Sequence, residues 1–535
     1  MSNADLADTW KARIRIFLSR PSFAFFAISL LAYSYFYQAG GWNQNVRFDL
    51  VRSLTEQRSV VIDDYRRNSG DLSCYGDKGV CKGAAKEANN EHYYCDKAPG
   101  VSLLGIVPYA AIYALADDEK PSANYLRNSV YLSTVVSVAL PSALSVAFLL
   151  ALLLALGFSR WTSSALAFGY GFSTLAFPYS TLLYGHQTAA ALLFIGFALL
   201  VRARHNKSDP PMFLVGLCLG FSVVCEYPAA LAVMPISVYA AVYFRPWKRL
   251  LGFVLGGASC IVILTGYHWI TFGGPLTLPY EFSTQHFRSL GIFMGLGAPN
   301  WPAFSNTMFT SYRGLFFSAP WLLLAFPGAY FMIRRSRLRA EAIVCLVVFL
   351  LFLWMTSSLI DSWHGGWSMG ARYMIPAIPF LVFLIAGLAL PKASSEGDKT
   401  SADNASADNA PIGVRKWLRP GAQVLLALAI GYSALLMLSA AAVRPEVPQQ
   451  IKEPFAKYLT PHFYKGELSL NAQGIDMVAP PRGKPKPRAW NLGHKLGLTG
   501  LTSLLPLLLA FVVFLSWIAL WIRRSRTENH GRTIP

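Results

Sequence analysis

Long uncharged apolar runs alternate with shorter polar connections along most of the 535-residue chain. Thirteen runs stand out, near 22-40, 101-115, 128-156, 163-181, 187-201, 211-225, 227-244, 250-270, 314-333, 342-360, 373-390, 421-443 and 498-521. None carries Asp, Glu, Lys or Arg in its interior. A bilayer core of roughly 30 Å is crossed by roughly 20 apolar helical residues, so most of these runs have span length. Backbone groups in hydrocarbon must pair within their own segment, which leaves helix as the state of each run. The pattern predicts an all-α polytopic membrane protein.

Orientation follows from the basic residues, which concentrate in short cytoplasmic connections. Lys11, Arg13, Arg15 and Arg20 precede the first run, and further clusters fall at Arg202/Arg204/Lys207, Arg245/Lys248/Arg249, Arg334/Arg335/Arg337/Arg339, Arg415/Lys416/Arg419 and Arg523/Arg524/Arg526. All of them lie inside only if one run does not cross. The run 101-115 is short and is interrupted by Gly105 and Pro108, so it is expected to dip into the outer face and return. About twelve true spans then remain, with both termini in the cytoplasm. The polar segments 41-100, 181-187, 272-312, 361-372 and 444-496 fall outside.

This organisation divides the chain into a transmembrane module over 1-391, a polar linker over 392-413 and a C-terminal helix pair over 414-535 that encloses the outer segment 444-496. The linker repeats Ser401-Ala-Asp-Asn-Ala405 as Ser406-Ala-Asp-Asn-Ala410 and is too polar to pack, so a disordered cytoplasmic stretch is expected. Composition agrees with the membrane reading, at 54% apolar and 14% charged residues. The net charge of +19 then reads as anchoring to anionic lipid headgroups, and no nucleic-acid motif competes with that view. The first run lacks a small-residue cleavage pattern and is expected to stay as a span.

Four of the seven cysteines, Cys218, Cys225, Cys260 and Cys345, lie in apolar runs and suit packing. Cys74, Cys81 and Cys95 share the first outer loop, where an oxidising compartment permits a disulfide, with Cys74 and Cys81 the favoured pair. A zinc site from these with His92 is the alternative, but the spacing matches no familiar structural pattern.

The candidate chemistry lies on the outer side. Asp49, in Asn43-Gln-Asn-Val-Arg-Phe-Asp-Leu50, stands beyond the first span, and Asp96-Lys97 stands before the dipping run. A carboxylate there can take a proton from an attacking hydroxyl, and a lysine or arginine can neutralise a departing phosphate. The plainer alternatives are an Asp49 that caps a surface helix and a Lys97 that snorkels to headgroups. Other outer connections pair polar groups with aromatics, as sugar sites do: Tyr184-Gly-His186, Glu226-Tyr227, Tyr267-His268-Trp269, Tyr280-Glu281 and Gln285-His286. The densest is Asp361-Ser-Trp-His-Gly-Gly-Trp-Ser-Met-Gly-Ala-Arg-Tyr373, where glycines permit tight turns and Arg372 sits at the mouth of the next run. An aromatic-belt turn is its structural alternative. His186 as a cap and Glu226 as a span end are likewise open.

The acidic residue beyond a first span, the loop ending in Tyr94-Cys-Asp-Lys-Ala-Pro99, and the many following spans resemble the GT-C membrane glycosyltransferases. Within that superfamily the likeness is to the lipid A aminoarabinose transferases and protein O-mannosyltransferases. In those relatives the loop closes with an acidic residue, Lys and Pro-Pro; here Ala98-Pro99 replaces the proline pair. The resemblance implies inverting transfer of a sugar from a polyprenyl-phosphate donor to an envelope lipid, glycan or protein acceptor, on the extracytoplasmic face of a bacterial inner membrane. It also implies Asp49 as the catalytic carboxylate with Asp96 as an auxiliary catalytic acid, Lys97 and Arg372 as phosphate contacts and His186 near a second polar site position. Glu226 and His364, from the outer connections, and Tyr94, from the loop motif, complete the substrate-binding candidates. Relatives differ in metal dependence, so a divalent metal stays open and no metal ligands are assigned.

A transporter or flippase of a lipid-linked or soluble substrate is the alternative from another class. Proton- or ion-coupled carriers keep ionisable groups inside their spans, and the runs here hold none beyond His268 near one end. Internal inverted repeats are not evident either. A membrane scaffold is the third reading, one in which Asp49 and Lys97 carry no chemistry.

Overall fold

The computed structural model describes residues 20-76, 79-81, 90-115, 123-283, 293-390, 420-471 and 489-530. Every apolar run is helical, and the architecture is that of a polytopic all-α membrane protein. The principal elements, in chain order, are α1 (Arg20–Ser34), β1 (Phe36–Tyr37), α2 (Trp42–Arg52), β2 (Leu72–Gly76), β3 (Gly79–Val80), β4 (His92–Cys95) and α3 (Gly100–Ala114). There follow α4 (Ala123–Thr134), α5 (Leu140–Ala155), α6 (Arg160–Phe172), α7 (Gly185–His205), α8 (Met212–Cys225), α9 (Ala230–Tyr243) and α10 (Leu251–Phe272). The remainder are α11 (Trp301–Met308), α12 (Ala325–Arg335), α13 (Arg339–Ser358), α14 (Ile378–Ile385), α15 (Pro420–Val443), β5 (Trp490–Asn491) and α16 (Leu505–His530).

Among the described residues seven helices are long and apolar enough to cross a membrane by themselves, and shorter apolar helices accompany them. The run 163-181 stops being regular at Phe172 and resumes as a single turn over Ala176–Tyr179. The run 314-333 is broken at Ala319-Pro320, because proline cannot donate to the preceding turn. The expected linker 392-413 lies outside the described residues. The C-terminal pair packs with the rest: Phe514 of α16 meets Phe25 of α1 edge-on at 4.9 Å, and β5 pairs antiparallel with β1, Phe36 opposite Asn491.

α3 is one continuous helix of fifteen residues with Pro108 inside it, shorter than the seven span-length helices. The Ser102 hydroxyl donates to the Arg47 carbonyl of α2 at 2.9 Å, and the Tyr109 hydroxyl donates to Glu56. Gly105 lies against Ser133 in α4, two residues from Tyr131, whose hydroxyl donates to the Ser34 carbonyl at the outer end of α1. α4 and α5 run on through a π turn as one helix, so its first half projects past the end of α1 and α3 packs on that projection.

The first outer loop carries a small sheet, β3-β2-β4, in which Cys74 opposes Tyr93 and Leu72 opposes Cys95. Cys74 and Cys81 are joined in a disulfide at its edge. Glu91 lies near both sulfurs, yet these are bonded to each other and offer no thiolate to a metal. His92 takes Asp63 as partner at 2.8 Å, which corrects the zinc alternative.

The opposite end of the bundle has its own polar knot. Glu341, at the start of α13, is fully buried and accepts from Arg204 at 2.7 Å, His205 at 3.0 Å and the Tyr239 hydroxyl at 2.6 Å. Arg160 donates to the Trp521 carbonyl at 2.8 Å. These residues come from connections that the basic clusters assign to the cytoplasm, whereas the outer segments meet at the other end.

α8 and α10 cross with their backbones in contact. A methyl group on Gly216 would strike the Phe253 carbonyl, and one on Gly256 would strike the Phe213 carbonyl. Small residues allow such an approach where lipid supplies no hydrophobic drive. Gly216→Leu is expected to destabilise the protein by about 1–3 kcal/mol or more, as overpacking does, and thermal unfolding in detergent against Phe213→Leu as control checks it.

Candidate functional site

α2 supplies the first side chains of the site. It is an eleven-residue helix whose Asn43, Gln44, Asn45, Arg47 and Asp49 are all buried, which a helix beside a bilayer tolerates only if these groups find partners. Arg47 finds three. Its Nε donates to Asn43 at 3.1 Å, its Nη1 to the Ala98 carbonyl at 3.0 Å and its Nη2 to Glu226 Oε1 at 2.8 Å. Glu226 sits between α8 and α9, against the N-terminus of α7, where a carboxylate is favoured by the helix dipole. The approach is close enough that a methyl group on Gly185 would strike the Glu226 carboxylate. His186 Nδ1 lies 3.6 Å from the same Glu226 oxygen, and its ring meets Tyr373 edge-on at 5.7 Å.

Beyond Ala98 stands Lys97, whose ammonium contacts Asp96 at 2.9 Å and Asp71 at 3.1 Å. Burial disfavours the ammonium, but the two carboxylates outweigh it and raise its pKa. Asp96 is 1% exposed, and burial pushes its carboxyl up to about 6, against the pull of Lys97. Its Oδ1 has no hydrogen-bond partner among the described residues. Tyr280 lies within electrostatic reach of Lys97, Glu226, Asp96 and Tyr373, and so spans from the lysine to the Arg372 side.

Arg372 is held differently. Its guanidinium lies 5.5 Å from the Tyr184 ring and 5.2 Å from the Tyr373 ring, and it donates to the Tyr373 hydroxyl at 3.4 Å. No ion pair compensates it among the described residues, and its Nε is buried without a hydrogen-bond partner. Gly365, at φ +71°, lies against the Arg372 stem, a conformation and a space that suit glycine. Glu446 follows α15 and accepts from the Tyr184 hydroxyl at 2.6 Å and from Gln44 at 2.9 Å. It packs on Gly41 at the start of α2, as Glu226 packs on Gly185 at the start of α7.

Lys97, Asp96, Glu226, His186 and Arg372 therefore converge, with Arg47, Asp71, Tyr280, Tyr373 and Glu446 among them. Sequence reasoning missed Arg47, Asp71 and Glu446, and named Tyr280 and Tyr373 only as members of polar-aromatic outer connections. A signal was present for Arg47, which lies inside the polar stretch 43-50. Nothing local marked Asp71 or Glu446.

Three expected members lie elsewhere. Asp49 is fully buried, accepts from Asn68 at 3.1 Å and has Arg52 as its nearby cation, so the expected meeting with Lys97 is corrected. Residues two apart on a helix point about 200° apart, and Arg47 takes the direction of the site. Burial raises the Asp49 carboxyl pKa well above the usual carboxylate range, against the Asn68 hydrogen bond and the nearby Arg52. Tyr94 packs on Phe272 at 5.5 Å, outside the charged group. His364 stands on the far side of Arg372; burial, with Arg313, Arg372 and Lys452 nearby, lowers its pKa to about 4.

The fold and the site define a multi-pass membrane protein with a buried, nearly charge-balanced cluster at one end of its helices. In chain path it is similar to the crystal structure of ArnT from Cupriavidus metallidurans bound to undecaprenyl phosphate, at 16% identity and a TM-score of 0.43, over 82% of this chain and 68% of that one. It is also similar to the apo state of the same protein, at 16% identity and a TM-score of 0.41, over 86% of this chain and 71% of that one. No family model and no curated protein matches the chain.

Removing one partner of a buried ion pair costs about 3–5 kcal/mol, because the other charge stays buried and unpaired. Glu226→Gln is thus expected to destabilise the protein by that amount, and Arg47→Met with Glu226→Leu to recover most of it. Thermal unfolding of both variants in detergent checks the pair; equal losses in the two would show that Arg47 does not depend on Glu226.

Proposed function

We propose that the chain is a membrane glycosyltransferase that moves a sugar from a polyprenyl-phosphate donor to a hydroxyl on an envelope acceptor, at the extracytoplasmic end of the bundle. The observation that carries the reading is the pairing of a buried carboxylate oxygen without a partner, Asp96 Oδ1, with a guanidinium without a counter-ion, Arg372, across Tyr280 and Tyr373. The loop motif at 94-99 and the apolar helices around it support the same reading.

Among the cations of the site, charge balance selects Arg372 for the donor phosphate. Lys97 already contacts two carboxylates and Arg47 one, so neither needs a ligand for compensation. Arg372 does, and guanidinium forks bind phosphate oxygens well. Tyr373 and His186 line its approach. Asp96 takes the proton of the acceptor hydroxyl as that oxygen attacks the anomeric carbon. The bond from that carbon to the phosphate oxygen breaks, and the polyprenyl phosphate leaves with the electron pair against Arg372. Attack from the side opposite the phosphate inverts the anomeric centre. Lys97 and Asp71 hold Asp96 in place.

This chemistry assigns Asp49 a structural part, since its carboxyl takes Asn68 as partner while Arg47 of the same helix turns to Glu226. Asp96→Asn is expected to lower transfer from a radiolabelled polyprenyl-phosphate sugar by at least about a hundredfold, the lower range of general-base effects, with the protein still folded. Asp49→Asn is expected to keep most of the rate. The opposite ranking would return the catalytic role to position 49. Because burial raises the Asp96 pKa to about 6, its base form grows as pH rises through that value. Transfer should therefore climb between pH 5 and pH 7, with a midpoint near the raised pKa, and a flat profile would remove Asp96 as base. Movement of intact lipid-linked sugar across vesicles, without transfer, would favour the carrier reading.

A further inference from the structure

The turn from Trp363 to Ser368 gathers cations that the transfer step does not use. Arg313 is 1% exposed and gives its hydrogen bonds to carbonyl oxygens: Nε to His364 at 2.9 Å, Nη2 to Gly366 at 3.1 Å and Nη1 to Tyr312 at 3.2 Å. Its guanidinium lies 4.1 Å from the Tyr312 ring centroid, and the ammonium of Lys452 lies 4.4 Å from the same centroid. Arg444 is 6% exposed and lies 5.4 Å from the Trp367 ring and 5.3 Å from the Tyr458 ring. Its Nη1 donates to the Asn471 carbonyl, while its Nε has no hydrogen-bond partner among the described residues.

Backbone contacts fasten the two cation-bearing segments together. The Ser368 amide donates to the Val447 carbonyl at 2.9 Å, and the Tyr312 hydroxyl donates to the Gln449 carbonyl at 2.6 Å. Neither Arg313, Arg444 nor Lys452 forms an ion pair among the described residues. Glu446 is the carboxylate within reach of Arg444, and its oxygens are engaged by Tyr184 and Gln44.

Burying a guanidinium costs several kcal/mol unless a negative charge accompanies it. Carbonyl dipoles satisfy Arg313 geometrically but leave its charge uncompensated, and Arg444 has Glu446 within electrostatic reach but no ion pair and no acceptor for its Nε among the described residues. Trp363 and Trp367 are half-buried beside these cations, so each keeps ring surface available to a ligand. Lys452 is exposed, which leaves the group open to solvent.

We propose that this cluster binds an anionic saccharide, with the phosphate or carboxylate on Arg444, Lys452 and Arg313 and the sugar ring against Trp363 or Trp367. The saccharide being the acceptor rests on the transfer reading above; the binding itself does not. In that reading Arg372 stands between the two sites and the acceptor hydroxyl reaches Asp96 past it.

The test uses the full chain in neutral detergent, with thermal unfolding followed against concentration of glucose 6-phosphate, glucuronate, glucose and inorganic phosphate. The two anionic sugars are expected to raise the melting temperature, and glucose and inorganic phosphate to do so far less. Lys452→Glu, at an exposed position that does not threaten folding, and Arg444→Gln are each expected to weaken the apparent affinity roughly tenfold or more, the effect of losing one charged contact. Asp96→Asn should bind as the unaltered protein does. A shift by glucose equal to that by its phosphate, an equal shift by inorganic phosphate, no shift by either anionic sugar, or unchanged affinity in both variants would overturn the proposal. Because Asp96→Asn separates binding from transfer, loss of either reading leaves the other standing.

Discussion

The Arg47 guanidinium is the contact on which the outer end of the bundle depends. Its three donors reach Asn43 in its own helix, the Ala98 carbonyl at the end of the first outer loop and Glu226 between two later helices. Those positions are separated by up to 183 residues, from 43 to 226, and one side chain joins all of them. A charge in that position is tolerable only with Glu226 opposite, and Glu226 in turn fits only because residue 185 is glycine. Local sequence, helix packing and charge balance thus become a single constraint.

That constraint has a consequence for chemistry. With Arg47 satisfied by Glu226, and Lys97 by Asp71 and Asp96, the inner part of the site is close to neutral and rigidly hydrogen-bonded. The outer part, around Arg372 and the Trp363–Ser368 turn, is cation-rich and held by tyrosines and carbonyls instead. A low-dielectric site with compensated charges on one side and uncompensated cations on the other is set up to take anions from that second side only. Tyr280 is within electrostatic reach of Asp96 and Lys97 in the first part and of Tyr373, beside Arg372, in the second.

Much of the fold was legible in the sequence because the membrane restricts what an apolar run can be. Each run contains helix, and the run 101-115 forms a short helix that packs on α2 through Ser102 and the Arg47 carbonyl. Breaks within the runs 163-181 and 314-333 were less visible, since hydropathy is blind to where helical hydrogen bonding stops. The site was legible in part. Lys97, His186, Glu226 and Arg372 were found from their placement beside apolar runs on one side. Asp49 was misjudged because linear proximity to a span says nothing about helix phase: Arg47 and Asp49 share a helix, and only one of them can face the cluster.

Phase also explains why the buried Asp49 is retained in the helix at all. Its Oδ1 accepts from Asn68, and that residue belongs to the loop that carries Asp71 to Lys97. Ser69 of the same loop donates to the Trp42 carbonyl at 2.9 Å, which fixes the loop to the start of α2. The Asp49 carboxyl on the back of α2 can hold this loop through Asn68, and Arg52 is the cation near enough to offset its charge. The two acidic side chains that the sequence offered as equivalents therefore sit in different environments: one is tied to the loop that brings Asp71 to the lysine, and the other contacts that lysine directly.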